Sequence, residues 1–349
     1  MTLSVEVSDP RCDPEPPGWS EFRCRHGLYQ PWDYELLRVE AWMSRNPPLL
    51  VLARYDGAIR AAMAVMVCGS VRANRYALPP RARGGGRGIR LAQVFQPWLG
   101  EAGFVVAAGV DAAEGRRLLR ELERGVRRHL GIGLAGVAYR NVPLDLVPLV
   151  AGRGRLVREV TAPAAVLTNR WRTDEEWLAS LSRNRRKNVR RVDRLVAADD
   201  TLVVRADAAR SDVDGAVLAA MLREHRRRHG RQPFDPRSPV AGAYLDAVVR
   251  RTDVHTLTYH ERDGRLVAFC LMLDHPVTPF LQFWATLPRD DGGRPHLYFD
   301  SHARAVRQVI RDRRGGLAAG RGMFEQKRSL GFAARPMCVV VAPAPVLGR

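Results

Sequence analysis

A run of basic side chains is the part of this sequence whose residue types and spacing most directly indicate chemistry. Between residues 183 and 194 the chain carries seven arginines and lysines but a single acid, Asp193. Helical periodicity collects six of the cations on one face and its flanks: Arg183, Arg186, Lys187, Arg190, Arg191 and Arg194. Because like charges at this density repel one another, the face favours a bound anion, such as the phosphates of tRNA or of a nucleotide-linked acceptor. A basic face screened only by solvent is the alternative.

The charge of the whole chain points the same way. Its 349 residues include 56 arginines and lysines against 37 aspartates and glutamates, which gives a net charge of +19. A surplus of this size favours a polyanionic partner. Only two of the basic residues are lysines, Lys187 and Lys327, and their rarity singles out both positions.

The composition narrows the class of protein. Hydrophobic residues make up 46% of the chain, enough for buried cores, but no apolar run approaches the ~20 residues that span a bilayer. The N-terminus lacks the basic and apolar segments of a signal peptide. We therefore predict a cytoplasmic protein without an integral membrane segment.

Metal and disulfide chemistry is not indicated. The five cysteines are scattered and form no CxxC pair. His225 and His229 have the spacing of two ligands on a helix, but the three arginines between them would repel a cation. We predict no metal site.

Two stretches of similar sequence supply the elements that must position these side chains. In residues 48–67 and 254–273, apolar strands flank Asp56-Gly57 and Asp263-Gly264 respectively. Asp-Gly tolerates the positive φ of a tight turn, so each stretch predicts a β-hairpin. A further strand, an amphipathic helix and a short strand then follow each hairpin.

The helices are predicted over residues 112–129 and 296–312, and the closing strands over 133–139 and 338–341. This repeat predicts an α/β (α+β) fold in which two tandem units each form a mixed, mostly antiparallel sheet flanked by helices. One order of elements, found twice, indicates two copies of one structural unit.

The division between the copies is predicted in a segment rich in Pro, Gly and Val. We place the N-terminal unit at residues 1–155 and the C-terminal unit at 156–349. The basic helix is predicted over residues 177–196, within the C-terminal unit.

The C-terminal half carries a family resemblance. Its basic segment, its hairpin and the box Phe324-Glu-Gln-Lys327 with Leu330-Gly-Phe332 together resemble the Fem-type and related peptidoglycan- or polysaccharide-associated (CelD-like) acyltransferases of the GNAT superfamily. These proteins are built from tandem GNAT-like units. The resemblance covers residues 173–342 and reaches the first half in outline, which implies that the N-terminal unit is degenerate.

The resemblance implies a reaction and a first group of site residues. Family members transfer an acyl group to an amine, some from aminoacyl-tRNA and others from an acyl thioester. It implies that Lys327 lies near the reacting carbonyl or the substrate phosphates, where its ammonium could stabilise negative charge. Phe324 is then a substrate neighbour. Glu325 orients Lys327 or accepts the amine proton, or is a solvated glutamate.

A second group of candidates lies around the start of the second predicted helix. The turn there, residues 289–294, partly matches the phosphate-binding turn of a GNAT unit, with Arg294 in place of its final small residue. Four of these residues are predicted to bind substrate: Arg294, Tyr298, Asp300 and Trp284. Asp300 would also complement the helix dipole, and Trp284 would also suit a core. His302 is either a catalytic base or a packed histidine.

Together these features predict an N-acyltransferase that forms an amide bond. The preferred version transfers an aminoacyl group from aminoacyl-tRNA to the amine of a small-molecule or cell-wall-type acceptor. An acyl-CoA-dependent GNAT N-acyltransferase is the alternative, and a non-catalytic nucleic-acid-binding protein is the alternative of another class. The predicted partners are tRNA and the amine acceptor, and aminoacyl-tRNA or acyl-CoA is a co-substrate rather than a tightly bound cofactor.

Overall fold

The structure is a computed structural model that describes residues 2–69, 89–96, 98–99, 101–228 and 237–349. These residues divide into two compact units. Unit 1 takes the described residues of Met1–Thr161, Phe234–Ser238 and Pro336–Arg349, and unit 2 takes those of Ala162–Pro233 and Pro239–Arg335. His229, the second of the two histidines with ligand spacing, lies outside the described residues.

Helices and strands alternate along both units. Unit 1 contains, in order, β1 (Leu3–Ser8), α1 (Trp19–Arg25), α2 (Tyr34–Met43), β2 (Pro48–Tyr55), β3 (Ala58–Cys68), β4 (Arg90–Val94), β5 (Phe104–Val106), α3 (Ala112–Leu130), β6 (Leu134–Pro143), α4 (Val147–Val150) and β7 (Leu156–Glu159). Unit 2 contains β8 (Ala164–Thr168), α5 (Asp174–Ser180), α6 (Arg183–Ala198), β9 (Leu202–Ala208), α7 (Gly215–Arg228), α8 (Gly242–Val249), β10 (Val254–Glu261), β11 (Leu266–Leu273), β12 (Phe280–Thr286), α9 (Leu297–Arg311), β13 (Gly316–Ala318), α10 (Phe324–Ser329) and β14 (Ala333–Arg335). The last strand, β15 (Met337–Pro343), belongs to unit 1.

The sheet of unit 1 has the order β1-β2-β3-β4-β6-β15-β7, with β5 pairing to β3. The predicted hairpin is confirmed as β2–β3, and its turn residues Asp56 and Gly57 have φ values of 46° and 87°. The predicted helix is confirmed as α3, which Asp111 caps by accepting hydrogen bonds from the amides of Ala113 and Glu114. The apolar stripe of α3 is buried in the core of this unit, so amphipathicity sets which face meets the sheet.

The sheet of unit 2 has the order β14-β8-β13-β12-β11-β10-β9. Its predicted hairpin is confirmed as β10–β11, and its predicted helix as α9. The buried valines of α6, Val189, Val192 and Val196, join one core with the apolar face of α9. Each unit is thus a mixed, mostly antiparallel sheet flanked by helices, as predicted.

Each sheet contains one pair of neighbouring parallel strands among the described residues, and the two sheets differ in how far that pairing extends. In unit 1 the parallel strands β4 and β6 pair along the whole of Arg90–Val94. In unit 2 the parallel strands β12 and β13 pair only at Phe280 and Ala318. Residues 281–286 of β12 therefore continue without a paired strand on that side among the described residues, which leaves a gap in the sheet of unit 2.

The predicted second copy differs from the structure at its C-terminal strand. The strand predicted at residues 338–341 lies in β15, which pairs with β6 and β7 of unit 1, and the strand that follows α9 is β13. The predicted unit boundary at residue 155 likewise falls before β7, which is in the unit 1 sheet. An apolar run predicts that a strand forms, but it does not specify the strand's partner.

The predicted basic helix is also interrupted. Leu181 adopts an extended conformation with ψ 150°, so α5 ends before it. Ser182 then caps α6 by accepting a hydrogen bond from the amide of Arg185 at 3.4 Å. The Ser hydroxyl competes for backbone amides and favours a new helix start over a continuous helix. Among the described residues, no helix is both long enough and apolar enough to cross a membrane.

A fully buried carboxylate organises the core of unit 1. Glu123 on α3 accepts hydrogen bonds from both terminal nitrogens of Arg155 at 2.7 and 2.8 Å, from the Tyr139 hydroxyl at 2.6 Å and from the Gly348 amide at 2.8 Å. Burial and the Glu123 charge raise the pKa of Tyr139, which keeps its hydroxyl protonated as a donor. The cluster joins α3, β6 and the C-terminal segment through one carboxylate.

We expect Glu123→Gln to destabilise the protein by about 3–5 kcal/mol, because the buried Arg155 guanidinium loses its counter-charge. Urea-induced unfolding at neutral pH measures the change. Glu21→Gln is the matched control, since Glu21 pairs with Arg25 while both side chains are mostly exposed, and it should cost at most about 1 kcal/mol. Equal unfolding midpoints for the two variants would contradict this role of Glu123.

Candidate active site

Lys327 is a buried lysine beside the gap in the sheet of unit 2. It lies on α10, and its Nζ donates hydrogen bonds to the carbonyl oxygens of Ala319 and, at 3.4 Å, Gly320. These two carbonyls directly follow β13, where the pairing with β12 has ended. Burial lowers the pKa of Lys327 to about 8, and nearby Cys270 opposes part of that shift.

An ammonium has three N–H donors. Two of those of Lys327 are used by the carbonyls of Ala319 and Gly320, which leaves one for another acceptor. The arrangement is consistent with a lysine that is held in place by backbone oxygens and presents a remaining donor to a developing negative charge. It is equally a means of tying α10 to the end of β13.

His302 on α9 is a neutral, packed histidine. Its Nδ1 lies 2.9 Å from the carbonyl oxygen of Tyr298, so Nδ1 carries the proton and donates. Burial and the nearby Lys327 ammonium lower the pKa of His302 to about 3. A side chain with so low a pKa is a weak proton acceptor at neutral pH, which favours the packed alternative over the catalytic base.

Three aromatic rings extend from His302 towards β10. Tyr298 packs against His302 in a tilted arrangement with ring centroids 4.3 Å apart, and it meets Trp284 edge-on at 5.4 Å. Trp284 in turn meets Tyr259 edge-on at 6.5 Å. Tyr298 and Trp284 are only partly buried, so they keep the exposed ring area that a substrate could contact.

Asp300 does not have a free carboxylate for substrate. It is buried and accepts hydrogen bonds from the Tyr259 hydroxyl at 2.7 Å and from Arg304 Nε at 2.6 Å. Burial and the Asp300 charge raise the pKa of Tyr259, which keeps the hydroxyl protonated as a donor. Asp300 therefore holds Arg304 in place in this structure, and its substrate-binding role stays a prediction.

Arg294 is likewise committed to the protein. Its guanidinium pairs with Asp199 at 2.6 Å and donates to the Thr201 hydroxyl at 2.8 Å and the Gly292 carbonyl at 3.0 Å. It joins the loop before α9 to the segment after α6, and a substrate would have to compete with a carboxylate for it. The predicted substrate contact is therefore not supported by this structure.

The same loop is poorly suited to a phosphate. A Cβ at Gly293 would meet the carbonyl oxygen of Leu287 at 2.0 Å, so the loop requires glycine there. Asp290 and Asp291 are exposed on it, and their charges oppose an incoming anion. The close approach of the Leu287 carbonyl oxygen, rather than a ligand, explains the glycine at position 293.

Two other residues of the box, Glu325 and Phe324, differ in their exposure and contacts. Glu325 is 67% exposed and pairs with Arg328 at 2.5 Å, which favours the solvated glutamate among its three alternatives. Phe324 is half-buried and packs against the core of unit 2. Cys270, a buried cysteine of β11, lies close enough to Lys327 to affect the pKa of that lysine.

The basic side chains of α6 form an unneutralised surface. Arg183, Lys187, Arg190, Arg191 and Arg194 are exposed and Arg186 is half-buried. At ~100° per residue, the five exposed cations lie opposite the buried valines. Among the described residues no carboxylate lies within 4.0 Å of any of the six, and Asp193, the one acid of this segment, pairs with Arg307 at 2.7 Å. We call these six residues the basic face.

Comparisons with known proteins agree with this fold. Residues 183–328 match the family model of the acetyltransferase (GNAT) domain, which spans the basic face, α9 and Lys327. No curated protein sequence matches the chain.

Solved structures resemble the whole chain. L-PGS from Bacillus licheniformis has 10% sequence identity and a TM-score of 0.55, with 97% of this chain and 98% of that chain covered. FemX has 12% identity and a TM-score of 0.55, with 92% and 95% covered. A tandem GNAT protein from the clavulanic acid biosynthesis pathway has 13% identity and a TM-score of 0.50, with 98% and 99% covered.

At such low identity the structural likeness establishes the fold, which is that of tandem GNAT proteins, as predicted. The narrower CelD-like grouping stays a prediction. Residues 183–328 thus match an acetyltransferase (GNAT) domain, and the chain is a GNAT-domain protein with the fold of tandem GNAT proteins.

Proposed function

We propose that the protein transfers an aminoacyl group from aminoacyl-tRNA to the amine of a small-molecule or cell-wall-type acceptor. The observation that carries the proposal is the basic face, which stands unneutralised on the same unit as Lys327. Six cations without a carboxylate partner favour a ligand with several phosphates, and a tRNA supplies them. The Fem-type resemblance of the Lys327 box implies such a donor for part of that family.

The chemistry requires little from the protein's side chains. An uncharged acceptor amine attacks the ester carbonyl of the donor, a C–N bond forms as the C–O bond to the tRNA ribose breaks, and the amine proton leaves with the departing hydroxyl. Holding the two reactants together removes translational freedom and accounts for much of the acceleration. Lys327 supplies one unused N–H to the oxyanion that forms on the carbonyl. With a pKa of about 8, Nζ is mainly protonated at neutral pH.

An acyl-CoA donor is the second candidate, favoured by one observation. Residues 183–328 match the acetyltransferase (GNAT) domain model, and part of the family that the Lys327 box resembles takes its acyl group from a thioester. The acidic loop before α9 disfavours the phosphates of such a donor, which is why the tRNA donor is preferred.

The donor is tested by offering the purified protein charged tRNAs or acyl-CoAs together with candidate amines, and by mass spectrometry of the products. We expect an aminoacyl amide that disappears when the tRNA is treated with RNase before the assay. Product formation that survives RNase when acetyl-CoA is present would overturn the preferred donor. RNA binding without transfer from any donor would favour a non-catalytic nucleic-acid-binding protein.

We expect Lys327→Met to lower the transfer rate by about 100-fold, the cost of losing one oxyanion donor, with little change in tRNA affinity. Single-turnover kinetics measure the rate. Glu325→Gln is the matched control because Glu325 is exposed on the same helix, and its rate should stay within about twofold of wild type. An equal loss in both variants would contradict a specific role for Lys327.

The pH profile gives Lys327 a second readout. Divided by the unprotonated fraction of the acceptor amine, the wild-type rate should fall as the pH rises through about 8, where Nζ loses its proton. The Lys327→Met rate should lack this decline, because methionine does not titrate. A decline shared by both proteins would assign it to another group.

We expect the fourfold variant Arg183→Gln, Lys187→Gln, Arg190→Gln and Arg194→Gln to bind tRNA more weakly and with a shallower salt dependence. Each lost phosphate contact should reduce the slope of log K against log salt by nearly one. Arg170, Arg172, Arg289 and Arg313 are exposed cations of unit 2 outside the basic face, and changing them to Gln removes the same charge. Equal losses in both variants would show a general charge effect instead of a binding face.

A further inference from the structure

Unit 2 contains a cavity that the proposed reaction does not use. It has a volume of about 210 Å³ and lies between α9 and strands β10, β11 and β12. Its floor is apolar and is made by Leu257, Cys270, Met272, Leu281 and Ala305. Lys327, Trp284 and the basic face do not line it.

The rim of the cavity is rich in hydrogen-bond donors. Arg304, Arg307 and Arg311 line it from α9, and His255 lines it from β10. The lining residues include no aspartate or glutamate. The carboxylates that pair with Arg304 and Arg307 are Asp300, Asp193 and Asp174, and none of the three lines the cavity.

Arg304 is held in place so that its two terminal nitrogens stay available. Its Nε donates to Asp300, a carboxylate only 1% exposed and fixed in turn by the Tyr259 hydroxyl. Neither terminal nitrogen of Arg304 has a hydrogen-bond partner within the described residues. A guanidinium held through Nε presents these N–H groups as a fork, the geometry that matches a carboxylate or phosphate.

Arg311 adds an uncompensated charge at the same rim. It donates to the Gln308 side chain at 2.5 Å and has no carboxylate partner in the part of the chain that the structure describes. Gln308 is held at its other end by Asp312 at 2.7 Å. Two arginines positioned by side chains of their own helix therefore face one apolar cavity.

We propose that this cavity binds a small organic anion with an apolar tail of about six to eight carbon atoms and a carboxylate or phosphate head. The tail length follows from the volume, which exceeds the ~150 Å³ of a cavity that holds benzene but is below the ~300 Å³ of sites for drug-sized ligands. Arg304 and Arg311 bind the head, and the apolar floor takes the tail. The site is independent of the proposed aminoacyl donor and acceptor.

Isothermal titration of the full chain with octanoate and with octyl phosphate tests the proposal. Saturable binding of either is expected, and their relative affinity distinguishes a carboxylate from a phosphate ligand. Octylammonium, with the same tail and opposite charge, and acetate, with the head alone, should each bind at least tenfold more weakly. Failure of both octanoate and octyl phosphate to bind, or equal binding of octylammonium, would overturn the proposal.

Variants locate the site. Arg311→Gln should weaken binding of the preferred anion about tenfold, and Ala305→Leu should abolish it by filling the cavity. Arg313→Gln is the matched control, because Arg313 is exposed and does not line the cavity. Arg311 and Ala305 are used because Arg304→Gln would leave the buried Asp300 without its cation. Unchanged binding in both Arg311→Gln and Ala305→Leu would refute the assignment to this cavity.

Discussion

The unit that carries the acyltransferase domain depends on keeping a lysine ammonium buried at the end of a short strand. Burial opposes the charged form of Lys327 and lowers its pKa to about 8, and the carbonyls of Ala319 and Gly320 offset part of that cost. The same hydrogen bonds hold α10 against β13. The pairing of β13 with β12 ends at Ala318, directly before those carbonyls, so one interaction places a cation where the pairing of these two strands stops.

Both units place a mixed sheet against helices, but they differ in how they use buried charge. In unit 1 the parallel strands β4 and β6 stay paired, and a buried Glu123–Arg155 pair joins the helix to the C-terminal segment. In unit 2 the parallel strands β12 and β13 pair only at Phe280 and Ala318, and the buried charged residues include Lys327 and Asp300. The extent of pairing at the parallel strands is therefore a difference between the two units.

The local sequence pattern predicted the helices and hairpins, but it did not predict which distant side chains contact the candidate site residues. The helices α3 and α9 and both hairpins follow from amphipathicity and Asp-Gly turns, which act within a few residues. The contacts of Asp300 and Arg294 do not follow from local pattern, because their partners, Tyr259 and Asp199, come from distant positions in the sequence. The sequence left the alternatives for Glu325 open, and its pairing with Arg328 favours the solvated glutamate. The position of Cys270 near Lys327 had no sequence signal.

The position of β15 has a consequence for how the protein is made. This strand completes the sheet of unit 1 between β6 and β7, yet it is separated from them in sequence by the whole of unit 2. On the ribosome, chains emerge N-terminus first and domains tend to fold as they emerge. Unit 2 is therefore synthesised before the first sheet receives its interior strand, so β6 and β7 each keep an unsatisfied strand edge until β15 has been translated.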